Sequence, residues 1–415
     1  MTQIGIEKIG VYAGSAVLDV NVLAQARGLE MARFQNLLMQ RKSVALPVED
    51  PVSFAVNAGK SIIDRLSTGE RDSIRHLIIA TESGIDFGKA MSSYVQHYLG
   101  LGRHCRTFEV KHACFGGTAA LQTASAMLRS PARPGERALV ITTDVARPIP
   151  HTYAEPSQGA AAVAMLLGPN PGLLLLENKT GSYSYEVMDS CRPTADIETG
   201  DPDLSLLSYL DCIRGAFEDY KALTGADIAD YFDGLAFHTP FGGMVKGAHR
   251  AMMRDQKHMP PPAIAADFDK RLRPSLSYCA EVGNIYSGSV FLAMCGAIEA
   301  LAGRTPTSSE RTLPRLGIFS YGSGCCSEFY SGIVQPGAAT ELAGARIGEQ
   351  LSRRHTLGMA EYERLLELNR KSMFGVENMD FDPSDISDLY RQTLKGSGRL
   401  VLRRIESFQR QYIWA

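Results

Sequence analysis

The sequence is poor in the features that would settle its class at once. It has one tryptophan, Trp414, beside the C-terminal residue. Its cysteines, at 105, 114, 191, 212, 279, 295, 325 and 326, form no CxxC pair and no Cys/His set with zinc-finger spacing. That speaks against a zinc module or a disulfide scaffold. Cys325 and Cys326 are neighbours, and adjacent residues rarely meet the geometry of a bridge. There is no dense basic run, and 43 Lys+Arg against 45 Asp+Glu give a formal net charge of -2. Nucleic acid and anionic membranes are therefore excluded as expected partners. The longest apolar stretch, 287–303, is broken by Glu299 and falls short of the ~20 residues that span a bilayer. It is expected to be a buried helix. The N-terminal residues lack a basic start followed by a long apolar run, so no secretory leader is expected. These absences predict a reduced, cytoplasmic chain with no metal.

What is present is ample core material. The chain has 415 residues, 45% of them hydrophobic, which excludes disorder. Short β-branched runs alternate with longer helical stretches. Strands are predicted over 5–11, 76–81, 106–110, 138–143, 160–167, 234–238 and 315–321. Helices are predicted over 50–66, 88–99, 116–129, 241–253 and 287–302. Such alternation argues an α/β fold. Each half carries a strand running into a Gly-rich turn, at 114–117 and 320–324, which is compatible with an old duplication. The acidic stretch 198–211 and the proline stop at 257–262 read as surface connections. The charged tail (353–357, 362–372 and 403–412) reads as a solvated helix face, and Trp414 as a packing anchor.

Three residues stand out chemically, each with a plainer reading beside it. Cys114, in Lys-His-Ala-Cys-Phe-Gly-Gly-Thr, falls between a strand and a helix. A helix N-terminus there stabilises a thiolate and offers backbone N–H groups to an oxyanion, and Gly116 and Gly117 would let a substrate approach the backbone. The plainer reading is a small buried hydrophobe. His238, in Phe-His-Thr-Pro-Phe, closes an apolar strand, where α/β folds place functional groups. It is either a general acid/base or a hydrogen-bonded structural histidine. Glu82, in Ile-Ile-Ala-Thr-Glu-Ser-Gly, follows a buried-type strand. It either pairs with a counter-charge, caps the next element or has a raised pKa for proton transfer. The turns Gly283-Asn-Ile-Tyr-Ser-Gly288 and Ser320-Tyr-Gly-Ser-Gly324 are each weak alone.

Taken in order, these blocks resemble the 3-hydroxy-3-methylglutaryl-CoA synthase family of the thiolase superfamily. The blocks beginning at Glu155 and Asp189 resemble it too, and the likeness runs from about Gly5 to Gly332. It implies a layered αβαβα fold of two similar halves. Residues 1–170 would carry Glu82 and Cys114. Residues 171–415 would carry His238, Asn284 and Ser320, with a charged helical tail. It further implies that Cys114 accepts an acetyl group, that Glu82 removes a methyl proton, and that His238 polarises the acceptor ketone. Asn284, Ser320, Ser157, Gly322 and Lys246 would bind substrate. No tightly bound cofactor is implied, and the family is generally homodimeric.

Two departures from the family pattern bear on substrate. Gly243 stands where coenzyme-A-using members often carry lysine, with Lys246 kept as the second lysine position. Pro148 stands where a tyrosine is usual. Losing a phosphate-binding cation weakens the grip on a nucleotide. The changes resemble relatives that install a β-branch on polyketide chains. Acetyl would then arrive on a donor acyl carrier protein and the ketone on an acceptor carrier, each through phosphopantetheine. The alternative is a mevalonate-pathway synthase using acetyl-CoA and acetoacetyl-CoA. Further rivals are a thiolase or ketosynthase on the same fold, and a catalytically dead scaffold. The joint presence of Cys, Glu and one His argues against these.

Overall fold

The predicted strands are apolar at consecutive positions, so both faces of each must be covered. The computed structural model shows how. It describes residues 3–152, 154–194, 197–305, 312–372, 374–381 and 386–415. A mixed sheet contains β1 (Gly5–Tyr12), β2 (Ile74–Ala80), β3 (Arg106–Val110), β4 (Arg137–Val145), β5 (Ala160–Gly168), β6 (Leu174–Ser184), β7 (Gly234–Phe237), β8 (Arg315–Gly322) and β9 (Cys326–Val334). The strand order is β7-β8-β9-β6-β1-β5-β4-β2-β3. The run β2-β4-β5-β1 repeats in β7-β8-β9-β6: the first pair is parallel and the next two antiparallel in both. The two runs meet at β1 and β6 through only Gly5↔Leu175 and Ile6↔Leu174. The halves are thus similar in structure where no literal sequence repeat exists.

Alternation within each strand assigns its residues to layers. Ile78, Val140 and Val163 pack with Leu121 of helix α2 (Gly116–Arg129). Leu77, Leu139 and Leu166 pack on the other face with Val56 of helix α1 (Pro51–Ile63). In the second run, Ile318 shares the inner core with Phe291 of helix α6 (Ser289–Leu301). Phe319 and Phe329 face outward to Phe217 of helix α3 (Pro202–Thr224) and Val245 of helix α4 (Gly242–Lys257). Helices α2 and α6 form the middle layer, which gives the expected αβαβα order. No helix among the described residues is long and apolar enough to cross a membrane.

Three expectations are corrected. Strands β6 and β9 were not predicted, because their polar and small residues (LLLENKTGSYS, CSEFYSGIV) lack a clean pattern. The acidic stretch 198–211 is largely helix: Asp201 caps α3 by accepting from the backbone of Asp203 and Leu204 at 2.9 and 3.1 Å. Asp201 is the cap and Asp203 lies in the first turn, where both suit the helix dipole. The tail is helical only in part. Residues Met359–Asn369 do form an amphipathic helix, but Leu400–Glu406 and Gln409–Trp414 are a hairpin. Trp414 is 45% exposed, with the Lys60 ammonium 5.6 Å from its ring.

That hairpin binds back onto the start of the chain. Asn57 of α1 exchanges two hydrogen bonds with the Leu400 backbone. Asp50 caps α1 through Ser53 N at 2.9 Å and also accepts from Arg410 Nη1 at 3.0 Å and Tyr412 Oη at 2.7 Å. Asp50 and Arg410 are each about 5% exposed, so neither can exchange its partner for bulk water. Breaking a buried pair by removing one member costs about 3–5 kcal/mol. Asp50→Ala is therefore expected to lower the unfolding free energy by about that amount, read as a lower urea midpoint at unchanged slope, and to expose the hairpin to protease. A midpoint within error of the parent would refute the anchoring role.

Candidate active site

The site is built at the carboxyl ends of parallel strands from both halves. Glu82 follows β2, Cys114 lies between β3 and α2, and Asp144 ends β4. From the other half, His238 follows β7 and Tyr321 ends β8. A cavity of about 1130 Å³ is lined by Glu82, Cys114, Arg192, His238, Asn284 and Tyr286, among others. Its mouth carries Lys89, Phe374 and Phe87, the last 95% exposed. Among the described residues no group of three or more His, Cys, Asp or Glu could hold a metal.

Cys114 Sγ lies 3.4 Å from Glu82 Oε1. Ala113 before it adopts a left-handed φ of 38°, turning the chain sharply between β3 and α2. Burial, then the carboxylates of Glu82 and Asp144, push the Cys114 thiol well above its ordinary pKa. The resting sulfur is thus a thiol, where the helix N-terminus predicted a thiolate. To act as a nucleophile the sulfur would have to lose this proton, and Glu82 Oε1 is the adjacent acceptor. Gly117 packs α2 against Thr142 and Phe291, where a Cβ would clash at under 3 Å, so it serves helix packing. Gly322 presses on the Cys114 turn: a Cβ there would lie 2.4 Å from Phe115 N.

Burial pushes the Glu82 carboxyl up to about 8, with Arg192 pulling it back. Arg192 Nη1 donates to the Glu82 carbonyl at 3.2 Å, and Nη2 lies 3.9 Å from Glu82 Oε2. Nη2 also donates to Glu198 at 2.8 Å and to Tyr286 Oη at 2.6 Å. Below, Asp144 Oδ1 accepts from Thr81 Oγ1, Glu82 N, Ser83 N and Ser83 Oγ at 2.8–3.1 Å. One carboxylate oxygen thereby fixes the whole 81–83 turn, which excludes the capping reading of Glu82. His238 is buried, its backbone N–H donating to the Phe319 carbonyl and its backbone carbonyl accepting from Tyr209 Oη. Burial lowers its pKa to about 3, so the imidazole is neutral at working pH.

Asn284 lines the cavity. Its backbone N–H donates to the Ser157 carbonyl and its Oδ1 accepts from Tyr286 N and Ser289 Oγ, both at 2.9 Å. Its turn follows helix α5 (Leu276–Val282), not a strand. The Ser157 hydroxyl donates to the Ala154 carbonyl, and Ser157, like Pro148, is not on the cavity wall. Ser320 lies inside β8, buried, and Lys246 is exposed on α4, 5.8 Å from the Phe268 ring; neither lines the cavity. At Gly243 a Cβ would fall 2.1 Å from the Asn36 carbonyl oxygen. The backbone at 36 fills the space that a side chain there would need. Arg192, Glu198, Tyr286 and Asp144 were missed as site residues. The signals were an arginine in the Asp189 block and an aspartate ending an otherwise apolar strand.

A cysteine and a carboxyl in contact, a neutral histidine and a cavity of about 1130 Å³ that they share on an αβαβα fold define a thioester-condensing enzyme of the thiolase type. The chain belongs to the hydroxymethylglutaryl-coenzyme A synthase family: residues 1–172 match its N-terminal region and 257–412 its C-terminal region. It is 48% identical over 426 residues to the polyketide biosynthesis 3-hydroxy-3-methylglutaryl-ACP synthase PksG of Bacillus subtilis (strain 168), covering 100% of both chains. It is similar to the curacin biosynthetic pathway HMG synthase in complex with acetyl donor-ACP, with a TM-score of 0.94, 49% identity and 100% of each chain covered. The hydroxymethylglutaryl-CoA synthase of Enterococcus faecalis is 32% identical over 408 residues, covering 98% of this chain and 99% of that one.

Arg192 is a cation that favours the ionised form of Glu82. Replacing it by Gln removes that attraction and raises the Glu82 pKa further. If Glu82 is the base for an acetyl group on Cys114, it must act as the carboxylate, and exchange of the acetyl methyl protons with deuterium should then rise with pH through about 8 in the parent. In Arg192→Gln the rise should move to higher pH, and Arg192→Lys should move it less. An unshifted profile in Arg192→Gln would remove Arg192 from this role.

Proposed function

We propose that this chain condenses an acetyl group carried by a donor acyl carrier protein with the β-ketone of a 3-oxoacyl chain on an acceptor carrier protein. The product is a 3-hydroxy-3-carboxymethyl chain for polyketide β-branching. The observation that carries the chemistry is the 3.4 Å contact of Cys114 Sγ with Glu82 Oε1 in a cavity shared with His238. Carrier use is supported by the higher identity to PksG than to the Enterococcus faecalis enzyme, and by the absence of room for a cation at 243.

In this reading the Cys114 thiol passes its proton to Glu82 as sulfur attacks the acetyl thioester carbon. The proton leaves on the thiol of the donor's phosphopantetheine, and acetyl remains on Cys114. Glu82, again a carboxylate, removes a methyl proton. Burial keeps its basicity high enough for this step, and the thioester keeps the methyl acidic. The enolate carbon attacks the acceptor's ketone, and the new alkoxide takes the proton from Glu82. Neutral His238 donates a hydrogen bond to the ketone oxygen as charge develops. Water then cleaves the Cys114 thioester, restoring the thiol and leaving a carboxylate on the product. Asn284 holds the acceptor thioester, and Ser157 acts by placing Asn284. Residues 1–170 supply Cys114 and Glu82, and residues 171–415 supply His238 and Asn284. The working form is a cytoplasmic homodimer.

Cys114→Ala should take up no acetyl by mass spectrometry of the intact protein. Glu82→Gln should still load acetyl, more slowly, while carbon–carbon bond formation falls about 10²–10⁴-fold, the usual worth of a general base. Condensation by Glu82→Gln at the parent rate would place the base elsewhere.

Carrier preference is tested by acylating Cys114 from acetyl-carrier protein and from acetyl-CoA. One lost charge-assisted contact is worth about one to two decades in affinity, so kcat/KM should favour the carrier by that margin. Equal efficiency would replace this reading with the mevalonate-type reaction of acetyl-CoA and acetoacetyl-CoA.

A further inference from the structure

A second cavity, of about 730 Å³, opens between the C-terminal part of α1, the helix Ile347–Ser352 and the loop leading into strand Leu400–Glu406. None of the cysteine-site residues lines it. Its wall carries six cationic side chains, Lys60, Arg65, Arg346, Arg353, Arg354 and Arg399, against two carboxylates, Asp64 and Glu349. The local partners do not balance them. Asp64 serves Lys60, and Glu349 is shared by Arg346 and Arg353. Arg65 bonds the backbone carbonyls of Ser61 and Ile9, and its nearest carboxylate, Glu341 at 3.6 Å, is held more closely by Lys8. Arg354 is buried; its Nη2 has no hydrogen-bond partner, and Glu281 at 3.7 Å is shared with Arg41. Arg399 lies 5.0 Å from the Tyr12 ring and pairs with no carboxylate among the described residues. Gly344 has no side chain to block Arg65: a Cβ there would meet Arg65 Nη1 at 2.6 Å.

Guanidinium groups lining one concave site are matched by phosphate oxygens, which accept paired N–H bonds and supply compact charge. Carboxylates on a flat partner surface would not reach into the cavity. We propose that this cavity is a second, non-catalytic site that binds a small molecule bearing two or more phosphate groups.

The test is isothermal titration of the full chain with inorganic pyrophosphate and with ADP, at ionic strength held constant with sodium chloride. Both probes should saturate one site per chain, and pyrophosphate binding alone would show that phosphate groups suffice. Arg399→Gln should weaken binding about tenfold or more, the usual worth of a charge-assisted contact, while Arg399→Lys keeps most of it. Acylation of Cys114 should proceed at the parent rate in both variants, which shows that they fold. Absence of saturable pyrophosphate binding overturns the proposal, whatever ADP does. So does binding that survives both Arg399→Gln and Arg346→Gln unchanged, since it would then lie elsewhere. Tighter binding of a poly-glutamate peptide than of either probe would replace the small molecule with an acidic partner segment.

Discussion

One guanidinium holds the catalytic cavity together. Arg192 reaches the backbone and side chain of Glu82, the Glu198 carboxylate and the Tyr286 hydroxyl. Around it Glu82, Asp144 and Cys114 are buried acids, and burial penalises each in its charged form. One cation cannot offset all of them. The Glu82 and Asp144 carboxyls therefore keep their protons to a higher pH than isolated side chains would. Burial opposes the charge of Arg192 itself, but Tyr286, Glu82 and Glu198 keep it protonated.

The fold produces this cluster because it repeats. Parallel strands β2, β3 and β4 end beside one another and deliver Glu82, Cys114 and Asp144. The corresponding pair β7 and β8 ends on the facing side and delivers His238 and Tyr321. Helices α2 and α6 fill the space between, so the two sets of strand ends open into one cavity. Asp144 stabilises the nearer corner with one oxygen and four donors. Asp189 stabilises the farther one by accepting from Tyr321 Oη at 2.6 Å and Gly324 N at 2.9 Å.

Selectivity is a matter of packing as much as of charge. The segment Gln35–Leu37 lies on the first turn of α4, and its backbone leaves no volume for a side chain at 243. A glycine that reads in the sequence as a missing cation is, in the structure, a steric requirement. The same end of the chain that surrounds α1 is closed by a C-terminal hairpin tied down through Asp50 and Asn57.

The sequence by itself determined the strand–helix alternation, the buried helix predicted over 287–302 and the position of Glu82, Cys114 and His238 where apolar runs stop. Periodicity suffices for placement, because a strand end is visible where an apolar run stops, whereas the choice of these three over their plainer readings came from the resemblance of the ordered blocks to a family. Strands β6 and β9 were not legible, since their polar residues are tolerated only because neighbouring strands satisfy the backbone. The hairpin at 400–414 was hidden by its charges, which pair across strands and with Asp50 instead of lining a helix. Tertiary structure alone decided that Arg192 and Asp144 flank Glu82, that Cys114 rests as a thiol, and that Lys246 and Ser320 stand off the cavity wall. The physical reason is that desolvation and Coulomb interaction depend on which groups are brought within a few ångströms. Arg192 is 110 residues from Glu82 in sequence, and only the folded sheet brings them together.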